Sequence, residues 1–146
     1  MNDHPIRLFP SADAVRRVGL GLLDCSLPKA EWTHEAHLAA CVWLLIERPD
    51  IAPESDLPGI ISSYNVAQGG VNDDHTGYHE TLTQLYIRGV RDFVATTQSG
   101  DLLQIVNALL ISPTGDRGWP LTIYSRERLF SVAARRGWVE PDLAVT

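Results

Sequence analysis

The chain of 146 residues is 45% hydrophobic and 21% charged, which suits one core-bearing domain and excludes a disordered chain. Its formal net charge is −6 and it has no long basic run, so neither nucleic acid nor an anionic membrane is an expected partner. No apolar run nears the ~20 residues of a membrane span, no apolar h-region marks a signal peptide, and Cys25 and Cys41 both fall in apolar helical patterns, so a cytoplasmic protein with buried, reduced thiols is expected.

Residues 1–10 read as an extended arm broken by Pro5 and Pro10, with Ile6, Leu8 and Phe9 available to pin it. Ser11 is a good N-cap for a first helix that buries Ala14, Val15, Val18, Leu22 and Leu23 and ends near Cys25. Gly19 and Gly21 weaken that helix or let a neighbour come close. Thr33 caps a second helix that stops before Pro49. A third is expected from Asp56 to about Ala67, followed by a polar, glycine-rich connection through Gly69, Gly70, Asp73 and Asp74, where a lid would be useful.

The fourth helix should be the longest, Tyr78 to about Gln98, ended by Ser99-Gly100. Asp101 opens a fifth through Ile111, apolar on most sides and therefore deeply buried. Leu121–Tyr124 looks briefly extended, and Ser125 caps a last helix, Arg126 to Arg136, that ends at Gly137 before an irregular tail. The expected fold is all-α: a single domain over residues 1–146, a helical bundle of about six helices without a substantial sheet.

The chain is organised around Trp32–Leu45. Its helix opens with His34 and His37, three residues and ~60° apart, so both imidazoles share one face. That face continues through Leu38, Cys41, Leu44 and Leu45, which points the histidines toward the core. Gly77–Thr81 opens the fourth helix with His79 and Glu80 in a similar way. At a helix N-terminus the partial positive charge disfavours imidazolium, and neutral imidazole is the form that ligates metal or accepts a proton.

Two readings stay open at this point. His34, His37 and His79 can hold one divalent transition metal (zinc, nickel, iron or manganese), with Glu80 as base or fourth ligand. Alternatively the same set serves without metal. Glu80 also simply complements the helix dipole, Glu35 at its spacing faces solvent, and His75 lies in the loop. Tyr64, Asn65, Tyr78, Tyr124 and Arg126 are candidates for lining a pocket. No phosphate loop, GxSxG elbow or CxxC pair is present.

Three stretches, WTHEAHL at 32–38, GYHETLT at 77–83 and YSRERLFSVAARRGWVEPDL at 124–143, carry a resemblance. With its paired THxAH and YHET motifs the chain resembles a family of small, largely helical bacterial proteins. The resemblance implies that His34, His37, His79 and Glu80 belong to one site, and it brings no substrate.

Two functions follow as expectations. One is a metal-dependent enzyme acting on a small polar molecule. The other is a non-catalytic small-ligand binder or interaction module that uses the same pocket. A small-molecule ligand is the expected partner, and a homo-oligomer is left open. Leucine in place of His37 or His79 is expected to leave stability near neutral if the cluster is functional.

Overall fold

Helix starts in this protein are fixed by side chains. The computed structural model describes residues 6–97 and 100–143. Among them are seven α-helices: α1 (Ala12–Leu23), α2 (His34–Glu47), α3 (Pro53–Ala67), α4 (Glu80–Thr96), α5 (Leu102–Leu110), α6 (Arg126–Leu129) and α7 (Val132–Arg136). Each of these except α3 begins at a residue whose side chain accepts a hydrogen bond from a first-turn N–H: Ser11, Thr33, His79, Asp101, Ser125 and Ser131. At α3, Pro53 needs no such partner, and the Asp56 carboxylate instead takes the Ala52 N–H at 2.8 Å. The helix thus begins three residues before the expected Asp56.

Four expectations need correcting. Leu121–Tyr124 is not extended: Trp119–Thr122 is a 3₁₀ turn, and the Pro120 carbonyl accepts from both Ile123 and Tyr124. The last helix is two, because Ser131 caps a second start and also donates to the Arg128 carbonyl. Cys25 lies past the end of α1 in the left-handed region, φ 63°, and is half-buried. Within the fifth helix the expected burial holds for Leu102, Val106, Leu109 and Leu110, whereas Ile111 beyond its end is exposed.

Helix α2 runs through the centre and touches α1, α3, α4 and α5. From Leu38 through Leu44 every residue is buried. Alanines at 36, 39 and 40 keep that helix thin enough for neighbours on several sides. At Gly19 of α1 the two helices come close: an added Cβ would lie 2.1 Å from Trp43 Cε3. Val15, Val18, Leu57, Tyr64, Ile87 and Val106 complete this core.

A second, smaller cluster of Leu85, Tyr124 and Leu129 docks the C-terminal segment against α4, with Trp119 and Trp138 packed on it. Buried Thr81 ties the same segment down, donating to Gly137 O at 2.8 Å and accepting from Val139 N at 3.2 Å.

At the arm, Phe9 exchanges two bonds with the Asn107 side chain, at 2.9 and 3.0 Å, and packs on the core. Ile6 and Leu8 stay exposed. The rest of the arm (residues 1–5), the fourth helix's expected end at Gln98 and Ser99, and the last three residues of the tail lie outside the described residues. Within the described residues no helix is long and apolar enough to cross a membrane.

Candidate functional site

The first turn of α2, the start of α4, α3 and the connection between α3 and α4 enclose a cavity of about 560 Å³. Its wall is largely apolar, with Leu38, Leu57, Ile61, Leu82 and Ile87 among the side chains that form it. His34, His37, His79, Tyr64, Asn65 and Tyr78 all line it, so six of the expected site residues share one cavity. Tyr124 and Arg126 do not. Tyr124 is buried in the C-terminal cluster and donates to Val139 O at 2.6 Å, while Arg126 is exposed over the Phe130 ring. Glu80 does not line the cavity either; its carboxylate accepts from the Tyr78 hydroxyl and from Gln84 Nε2.

Each histidine has its tautomer set by a backbone partner. A carbonyl only accepts, so His34 Nε2 must donate to Gly115 O, at 2.8 Å, which leaves Nδ1 with a lone pair. His37 Nδ1 donates to Thr33 O at 2.6 Å, which leaves Nε2 with the lone pair. His79 uses both nitrogens: Nδ1 accepts from Leu82 N at 3.1 Å as the N-cap of α4, and Nε2 donates to Leu129 O at 2.7 Å. It is buried and acts as a rivet between α4 and the C-terminal segment.

His37 is the most exposed of the three, and its free surface forms part of the cavity wall. Trp32 stacks on one ring face, with centroids 3.8 Å apart, and Tyr64 meets Trp32 edge-on at 5.5 Å. With the Nδ1 edge bound to Thr33, what remains for the cavity is the Nε2 side and the other ring face. Protein surrounds the ring even so, and burial pushes its pKa down to about 4, with His34 adding to the fall and the Thr33 bond opposing it. Burial also lowers His79, despite the Leu129 bond.

Burial favours the neutral forms of the thiol and hydroxyls of the wall as well. Burial pushes the Cys41 thiol up to about 12, Glu54 adding and Arg91 opposing. It also raises the hydroxyls of Tyr64, Tyr78 and Tyr86. No carboxylate or guanidinium lines the cavity; exposed Lys29 is its charged residue.

The glycine-rich connection closes one side. Asn72 Oδ1 accepts from Tyr78 N at 2.9 Å and Asn65 Nδ2 at 3.0 Å, and its Nδ2 donates to Ser62 O at 3.0 Å. Gly77, at φ 83°, closes the turn on Val71, where a Cβ would meet the Val71 carbonyl oxygen at 2.2 Å. From α7, Arg135 donates to Gly77 O, and Arg136 pairs with Asp74 at 2.7 Å.

Two features were missed in the sequence. Glu35 does not face solvent: it is 4% exposed, covered by the arm and by Arg117, whose Nη2 lies 3.5 Å from Oε1. Burial raises its carboxyl, but its own N–H, the Arg7 N–H, Arg117 and His34 together leave it below the usual carboxylate value. Asn72 was the other, and its place just before Asp73-Asp74 in a glycine-rich turn was the available signal. His75 is exposed in the loop, as expected.

Within the described residues no group of three or more His, Cys, Asp or Glu is placed to hold a metal ion. A three-histidine centre would require His79 to release either the α4 cap or Leu129. No family model, curated protein or solved structure matches the chain, so the family resemblance rests on its motifs alone.

Proposed function

We propose that the protein binds a small organic molecule in the cavity between α2 and α4 and does not transform it. The observation that carries this reading is the cavity itself. A volume of about 560 Å³ falls in the range that receives drug-sized molecules, and its wall is apolar with a few fixed polar groups. Catalysis is less well served. The Cys41 thiol is held protonated, the His37 imidazole is a weak base, and Glu80 is tied to Tyr78 and Gln84 away from the cavity.

The test is a thermal-shift screen of small apolar and amphipathic compounds, with hits titrated calorimetrically into the parent and into Leu38→Trp, which fills the wall. Saturable one-to-one binding that Leu38→Trp abolishes supports the reading. Hits that bind the filled variant equally well refute it. Stoichiometric zinc, nickel, iron or manganese in protein purified without a histidine tag would overturn the metal-free form and favour the metal-dependent enzyme.

A further inference from the structure

We propose that the bound molecule is an uncharged, largely apolar compound that presents a hydroxyl or N–H hydrogen to His37 Nε2. This rests on the binding reading above and names its ligand class and anchor.

Few of the hydrogens in the wall are free to be given. Three ring N–H groups, on His34, His37 and His79, are spent on backbone carbonyls. The hydroxyls of Tyr64, Tyr78 and Thr83 are spent on Leu27 O, Glu80 and His79 O. These assignments are forced, because each acceptor is a carbonyl or carboxylate oxygen. The donors of His34, His79, Tyr64, Tyr78 and Thr83 are thus engaged elsewhere, while His37 Nε2 keeps its lone pair. Trp32, Thr76 and Tyr86 also line the cavity and have no protein acceptor among the described residues, so a second polar group on the ligand has partners.

His37 is held in orientation from two sides. One ring face rests on Trp32, and Nδ1 is fixed to the helix's own first turn. His37 is exposed and lines the cavity, and among the described residues no protein group pairs with its Nε2. A ligand that covers it without offering a donor leaves the nitrogen unpaired.

Charge on the ligand is disfavoured from both sides. An ammonium would find no carboxylate in the wall, and an anion would find Lys29, which is exposed.

The test uses para-ethylphenol, its methyl ether and para-ethylbenzoate, titrated calorimetrically into the parent and into His37→Leu. The phenol is expected to bind the parent at least about tenfold more tightly than the ether, as one hydrogen bond to an otherwise unpaired group allows. In His37→Leu the phenol should lose that advantage while the ether keeps its affinity. Independently of any variant, the ¹⁵N resonance of His37 Nε2 in the parent should move on adding the phenol and stay put on adding the ether. Equal affinity for phenol and ether, with no Nε2 shift, overturns the proposal and leaves the binding reading intact. Tightest binding of the benzoate overturns the uncharged class and makes Lys29 the anchor. Failure of all three compounds, together with failure of the wider screen, removes the binding reading and this inference with it.

Discussion

His79 and His37 should part company when each is replaced by leucine. His79→Leu removes the Nδ1 acceptor that caps α4 and the Nε2 donor that serves the Leu129 carbonyl. Loss of the cap costs about 1 kcal/mol. A buried carbonyl left without its donor costs a further ~1–3 kcal/mol. Leucine returns some apolar burial, so the net cost is about 1–3 kcal/mol. His37→Leu removes one bond to Thr33 O, but that carbonyl still accepts from the His37 backbone N–H at 3.0 Å. Nothing is orphaned, and the change should stay within about 1 kcal/mol of the parent. His79→Asn supplies a good cap without reaching Leu129, and should recover roughly 1 kcal/mol. The assay is urea unfolding in chelated buffer at pH 7.5. Equal stability of the two leucine variants, or greater loss at His37, would refute the division into a structural and a cavity histidine.

Gly19→Ala gains about 1 kcal/mol of helix propensity but forces its Cβ into Trp43, so urea unfolding should show net destabilisation; Gly59→Ala, with open space around it, should stabilise by about 0.5–1 kcal/mol. Thr81→Val should cost about 2–4 kcal/mol by stranding Gly137 O and Val139 N–H, and Thr81→Ser should restore most of it. His37 and His79 have folded pKa values below the ordinary 6.5, so the unfolded chain binds more protons than the folded one in that window. Stability should therefore fall as pH drops from about 6.5 towards 4, and chemical unfolding at pH 7.5 and 5 should show a smaller fall in His37→Leu than in the parent.

Much of the fold is local chemistry and so was legible. Ser11, Thr33, Asp101 and Ser125 cap helices because an oxygen on a short side chain reaches an N–H two or three residues on, and no distant contact decides it. Where the sequence misled, a competing partner decided the outcome. The β-branched look of Leu121–Tyr124 yields to Pro120, whose carbonyl collects two N–H groups. The apolar rhythm runs straight through Arg126–Arg136, and only Ser131, able both to close one helix and open the next, interrupts it. Glu35 was misplaced by treating α2 as a helix with one buried stripe. Its alanines and its nearly unbroken run of apolar residues point to a helix enclosed on several sides, and such a helix carries its first-turn carboxylate inside with it.

The cavity was legible as a cluster of residue types and illegible as chemistry. Periodicity places His34 and His37 on a core-facing stripe, and the same rule places the start of α4 beside them. A metal centre, a base or a hydrogen-bond acceptor would each write that same pattern, because all three need neutral imidazole near an apolar wall. What separates them is where each ring spends its N–H, and that depends on carbonyls far along the chain: Gly115 for His34 and Leu129 for His79. His79 illustrates the limit. It holds the N-cap position that serine, threonine or aspartate usually fills, and an imidazole performs that task only when a second partner holds the proton on the far nitrogen. Leu129, fifty residues on, is that partner, so His79 ties the start of α4 to the C-terminal segment beside the cavity. His37 alone among the three has its bound proton held within its own helical turn, and its free nitrogen is left to whatever enters.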